Sequence, residues 1–158
     1  MGVVHTYQTK VVWTGNRGTG TSGYREYDRA HELSAPNLPV ILGSSDRAFH
    51  GDATRWNPEL ALLGALSQCH LLSYLHVCVR AEVIVTAYTD TATGSMEQSG
   101  IGGRFTEAVL HPHVTVASAA MVDKAIALHD DAHAACFIAS SVNFPVRHEP
   151  VVTAATNE

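Results

Sequence analysis

Charge is scarce in this 158-residue chain. Asp, Glu, Lys and Arg make up 16% of it, and 10 basic residues face 15 acidic ones. A formal charge of −5 leaves no basic stripe to neutralise phosphates, so nucleic acid is not an expected partner. Cysteine is sparse too: three residues, an odd number, do not make a disulfide framework. The opening MGVVHTYQTK has neither the basic nor the apolar region of a secretory leader. The expected compartment is therefore the reducing cytoplasm. A clean apolar run of bilayer length is also missing. The richest stretch, residues 60–79, is interrupted by Ser67, Gln68, His70, Ser73 and His76, so no membrane partner is expected. What the chain does have is 46% hydrophobic residues, enough to fold as one domain over residues 1–158. With so few charges to cover its surface, part of that apolar material is expected to lie against a partner chain.

The pattern along the chain predicts an α+β order. Two β-rich stretches, 3–13 and 24–33, flank the turn-rich TGNRGTGTSG and read as a hairpin. Residues 34–56 carry Pro36, Pro39, Gly43 and Gly51, which predicts loop with one short strand near 40–42. At Asn57 the signal changes. Asn is a good helix N-cap, Pro58 suits the first helical position, and Glu59 favours the positive end of the helix dipole. The following twenty-odd residues contain no proline and are apolar on most faces, which predicts a central buried helix. A strand is expected over 82–91, a hairpin connection over 90–103, further strand over 104–116, a second helix over 118–135, and a last strand over 144–153 broken by Pro150. Trp13 and Trp56 read as packing residues, and His111 and His113 as solvent-facing.

Cys69 lies in the middle of the first helix, ten residues after Glu59, and Cys136 follows the second helix. Cys78 is nine residues beyond Cys69, about 180° round the helix, so those two do not share a face. Taken singly, a helix cysteine among leucines is a small buried hydrophobe. The count of 10 histidines is high. His129, His133 and Cys136 fall at i, i+4 and i+7 on one helix face, a spacing that would suit a metal, with His70 and His76 as further donors.

A more specific signal comes from the segments around the cysteines. GDATRWNPELALLGALSQCHLLSYL resembles the OsmC-like family, the osmotically inducible and organic hydroperoxide resistance proteins. In that family an Asn-Pro-Glu opens a long central helix and the reactive cysteine stands ten residues past the Glu. HAACFIASSVNFPV resembles the family's second cysteine segment, and VTAYTDTATGSM and GGRFTEAVLHPHVTV resemble its strands, in the same order. The resemblance runs from about residue 44 to residue 146. Phe137 departs from it, standing where many hydroperoxide resistance members have proline.

The resemblance implies an α+β fold in which antiparallel sheets pack around two long helices, in an intertwined homodimer. It implies a thiol peroxidase in which Cys69 is oxidised to a sulfenic acid by an organic hydroperoxide and Cys136 closes on it as a disulfide. A dithiol, lipoyl-type or a small thiol, would reopen the disulfide, with no cofactor. The chemistry asks for a cation near Cys69, because a free thiol of pKa ~8.5 is only a few per cent thiolate at neutral pH. The family's arginine best matches Arg17, with Arg25, Arg47 and Arg55 as alternatives. Glu59 would orient that arginine, since a carboxylate beside the thiolate would by itself oppose ionisation. A non-catalytic binding module on the same fold and a His/Cys metal-binding protein are the alternatives.

Overall fold

A computed structural model describes residues 2–156. The chain divides into two compact units, Met1–Ala61 and Leu62–Glu158.

In the first unit, strands β1 (Lys10–Trp13), β2 (His31–Ser34) and β3 (Ile41–Gly43) form one antiparallel sheet in that order, with Trp13 opposite His31 and Leu33 opposite Ile41. The glycine-rich connection between β1 and β2 is held by Asn16. Its Oδ1 accepts from the N–H groups of Gly18 and Gly20, both at positive φ where a side chain would strain the backbone. Trp13 and Trp56, expected as packing residues, are 43% and 54% exposed in the single chain. Trp13 packs edge-on against Tyr27 and donates from Nε1 to the Asp28 carbonyl, and Trp56 pairs through its backbone with Leu42.

Helix α1 (Pro58–Arg80) starts where the sequence places it. Asn57 Oδ1 accepts from the Leu60 N–H at 2.8 Å, capping one of the orphan donors of the first turn. Of its faces only one stripe is buried, Leu66, His70, Tyr74 and Cys78 at steps of four. The opposite stripe, with Leu72 and Val79, is exposed in the single chain. By length and apolarity α1 would suffice to cross a bilayer. Its buried stripe, however, holds two polar rings bonded to the second long helix, as a core helix does. It ends with Glu82 in the left-handed conformation (φ 59°) and the Val83 N–H returning to the Cys78 carbonyl.

The second unit adds two mixed sheets. Their strands are β4 (Val85–Asp90), β5 (Thr93–Ser99), β6 (Gly102–Leu110), β7 (Pro112–Val116), β8 (Val146–His148) and β9 (Val151–Ala154), ordered β4-β7-β9 and β5-β6-β8. Two prolines explain the division. At the His111–Pro112 step the expected long strand breaks, and the His111 N–H turns aside to Asp90 Oδ1 at 2.7 Å, so that β6 and β7 serve different sheets. Pro150 separates β8 from β9 in the same way, and the two pairs run alongside in parallel, Ala108 opposite Val146 and His113 opposite Val151. The segment expected as a hairpin connection contains β5, paired to β6 through a bulge at Ser95/Met96. Helix α2 (Val122–Ala135) begins four residues later than expected. Ser118 makes no side-chain cap, and a 3-10 turn over Ala119–Met121 precedes the helix. One core joins α1 to α2 and the first mixed sheet through Tyr74, Cys78, Val114, Val116, Ala125, Leu128 and Ala132. A smaller one, Leu66, Ala108 and Leu110, is covered by Ile138, Val142 and Phe144.

Candidate active site

Cys69 and Cys136 come together. Cys69 is half-buried on α1, and Cys136 is 1% exposed at the C-terminal cap of α2. Both are free thiols, and their side chains are within hydrogen-bonding reach of each other. The meeting follows from how α2 ends. The Cys136 N–H still bonds the His133 carbonyl at 3.1 Å, but the backbone then turns extended (ψ 108°), so the chain leaves the helix just past the thiol. A 3-10 turn, Ala139–Ser141, follows at once, and the Ala139 N–H points at Cys136 Sγ at 3.4 Å.

Burial pushes the Cys136 thiol up to about 11; the Ala139 and Ile138 N–H groups pull it the other way, and the neighbouring Cys69 sulfur adds to the rise. Cys136 is thus a protonated, enclosed thiol at neutral pH, beside a more accessible one. Cys78 is buried in the α1–α2 core, where burial raises its thiol against a hydrogen bond with Tyr74. It takes no part in the pair.

The remaining sequence candidates lie in the first unit. Glu59 occupies the first turn of α1, and its Oε2 is buried without a hydrogen-bond partner. Arg17 is exposed, donates to the Arg25 carbonyl and lies 3.9 Å from Asp28 Oδ1. Arg55 pairs with Asp52 at 3.5 Å, and Arg47 sits in the short turn Arg47–Phe49. Within one chain, then, Arg17 is bound to its own hairpin and not to Glu59.

Residues 50–150 match the OsmC-like protein family. The chain belongs to that family. No curated protein matches it by sequence. Among solved structures, an OsmC-like protein of unknown function from Vibrio cholerae superposes with a TM-score of 0.83 at 27% identity, covering 94% of this chain and 100% of that one. An organic hydroperoxide resistance protein OsmC from Legionella pneumophila (TM-score 0.70, 18% identity, 96% and 99% covered) shares the fold. So does an organic hydroperoxide resistance protein from Elizabethkingia anophelis (0.68, 16%, 98% and 100%). The expected OsmC-like α+β fold is therefore what this chain adopts.

Beside the cysteine pair lies a cluster of histidines, of which the sequence marks His70, His129 and His133 only as possible metal donors and does not single out His148. His70 and His129, both buried, stack with half-buried His148, and half-buried His133 lies tilted against His148, all within the second unit. They do not converge on a common point. His129 Nδ1 is occupied by a hydrogen bond to His70 Nε2 at 3.0 Å, and Cys136 is turned to Cys69. Among the described residues no group of three His, Cys, Asp or Glu is placed to hold a metal ion. His76, the other helical candidate, is exposed. The signal for the stack was present as a histidine four residues before a buried tyrosine on α1 and two histidines four apart on α2. What the sequence did not carry was the register between the helices.

Proposed function

We propose that this OsmC-like protein is a thiol peroxidase that reduces organic hydroperoxides to alcohols through Cys69 and Cys136. The observation that carries the reading is the adjacency of a half-exposed and a fully buried thiol, both free. The Cys69 thiolate attacks the distal oxygen of ROOH; the O–O bond breaks, an S–O bond forms, and ROH leaves with a proton. The Cys136 sulfur then attacks Cys69, forming the disulfide and releasing water. Its developing charge falls where the Ile138 and Ala139 N–H groups point. A dithiol reductant takes the disulfide back to two thiols and is itself oxidised. The cytoplasm is the compartment that supplies such reductants.

Arg17 and Glu59 enter this reading through a second copy of the chain. Ten residues of α-helix rise about 15 Å, so a glutamate at 59 does not touch a thiol at 69 on its own helix. A homodimer that presents the partner's first unit to Cys69 would supply the arginine that favours the thiolate, with the unpartnered Glu59 oxygen accepting from its guanidinium.

The test is turnover of cumene or tert-butyl hydroperoxide by the purified protein with a dithiol. Wild type is expected to consume peroxide repeatedly, Cys69→Ser not at all, and Cys136→Ser to stop with a sulfenic acid on Cys69. Full turnover by Cys69→Ser would sink the assignment, and an inert wild type would leave the fold as a binding module.

A further inference from the structure

The histidine stack lies between the two helices that carry the cysteines. His70 Nε2 and His129 Nδ1 are 3.0 Å apart, with ring planes 12° from parallel. Tyr74 stacks on His129 at 3.9 Å and donates its hydroxyl to the Ala125 carbonyl at 3.0 Å. Positions 70 and 74 of α1 are therefore bonded to positions 129 and 125 of α2, two side-chain hydrogen bonds four residues apart on each helix, in antiparallel register. His70 adjoins Cys69 in sequence, and His129 lies seven residues, two helical turns, before Cys136. These bonds fix the height and rotation of α2 against α1, and so the place where Cys136 emerges.

The groups around the bond leave it little tolerance for charge. From α1 it is faced by His70 and Tyr74, with Cys78 one turn on; from α2 by His129, Asp130 and His133; from β8 by His148; and from β4 by Tyr88 and Asp90. Asp130 is engaged by His148 at 3.0 Å, and Asp90 by the Ser67 hydroxyl and the His111 N–H. His70 Nδ1 and His129 Nε2 are buried with no partner, so a second N–H on either ring has no acceptor. Once both rings are protonated neither can accept from the other, and two like charges sit in the interior. Burial accordingly lowers His70 to about 4 and His129 to about 3, and the neighbouring imidazoles push both the same way.

We propose that His70 and His129 are positioning residues for the cysteine pair: their mutual hydrogen bond holds the end of α2 against α1 so that Cys136 meets Cys69, and protonation of both rings of that bond releases the hold. The inference rests on Cys69 and Cys136 working as a pair, not on the identity of the oxidant.

The test therefore uses no peroxide. Dithiodipyridine reacts with thiols in acid as well as at neutrality. Cys69 displaces one pyridinethione and keeps the other as a mixed disulfide; Cys136 then displaces the second, closing the Cys69–Cys136 disulfide. The rate of the second release reads how well Cys136 is placed, and peptide mapping assigns the bond. His129→Gln keeps an amide able to hydrogen-bond but unable to titrate; His129→Leu removes the bond. At about pH 7 the wild type and His129→Gln are expected to close within about twofold of each other, and His129→Leu about tenfold more slowly. As the pH falls from about 6 to about 3, the ratio of wild-type to His129→Gln rates should drop about twofold, since thiol chemistry common to both cancels. Far-UV circular dichroism at each pH restricts the comparison to folded protein. A ratio that stays flat until the helical signal is lost overturns the proposal, as does a His129→Leu protein that closes as fast as wild type. Should His129→Leu fail to fold, the pH profile of wild type against His129→Gln decides alone. Absence of any second release from the wild type would overturn the cysteine pairing and this clamp together, whereas inertness to peroxide would touch only the peroxidase reading.

Discussion

An imidazole enclosed without an acceptor for its second nitrogen stays neutral, and His70 and His129 are both in that position. The unfolded chain has no such constraint and binds protons on both rings below pH ~6.5. Because their folded pKa values are depressed, to about 4 and about 3, the unfolded state binds more protons through that whole range. Their contribution to stability is complete above pH ~6.5 and is lost progressively as the pH falls towards the folded values. Urea unfolding followed by far-UV circular dichroism should show a loss of about 5 kcal/mol between about pH 6.5 and about pH 4, roughly halved in a His70→Gln protein. A midpoint that does not move over that interval would mean that the rings are not held neutral. The same reasoning separates the two thiols: the enclosed one is pushed up to about 11 and stays protonated at neutral pH, while the half-buried one is the more accessible.

At the scale of elements, helix ends decide more than helix interiors. The end of α1 places Glu82, not glycine, in the left-handed conformation, and the Val83 N–H closes onto the Cys78 carbonyl around it. A side chain at that position costs about 1 kcal/mol that glycine avoids. Glu82→Gly should raise the unfolding free energy by about 1 kcal/mol, a shift of about 2–4 °C in Tm on thermal denaturation. No gain would mean that the Glu82 side chain makes a compensating contact. The start of α1 was readable beforehand because its cap is local: Asn57, Pro58 and Glu59 act within one turn. The late start of α2 was not, because Ser118 has the right chemistry but its hydroxyl makes no cap bond. Strand pairing was only partly legible. Prolines at 112 and 150 mark breaks, but that the broken pieces lie side by side in parallel depends on contacts 38 residues apart in register. The candidate site divides in the same manner. Cys69, Cys136 and Glu59 are marked by short motifs, whereas the His70–His129 bond exists only through helix packing, and the arginine proposed to activate Cys69 is not identified by any local pattern.

The whole molecule returns to the shortage of charge. In a single chain, Leu72 and Val79 stand 64% and 77% exposed on the stripe of α1 opposite its buried one. An open apolar groove of about 490 Å³, lined by Leu75, Cys78, Val79 and Glu82 to Val85, continues that stripe. Strand β5 is exposed along its length, and among the described residues β4, β9, β5 and β8 are the outer strands of their sheets. Apolar stripes and open strand edges of this kind are what a partner chain covers. The protein is therefore expected to sediment at twice the 16.9 kDa of one chain. If a partner chain covers that stripe, a charge near its C-terminal end cannot be buried unpaired, so Val79→Glu should shift the equilibrium to monomer. If the partner supplies Arg17 and Glu59, that monomer loses about tenfold or more of its peroxide turnover, yet closes its own Cys69–Cys136 disulfide with dithiodipyridine at the wild-type rate, because both thiols belong to one chain. Sedimentation velocity, peroxide consumption and the second pyridinethione release, measured on the same preparation, check the three expectations together. A Val79→Glu monomer with undiminished turnover would show that each chain carries a complete site, and would place the activating cation among the arginines of its own fold.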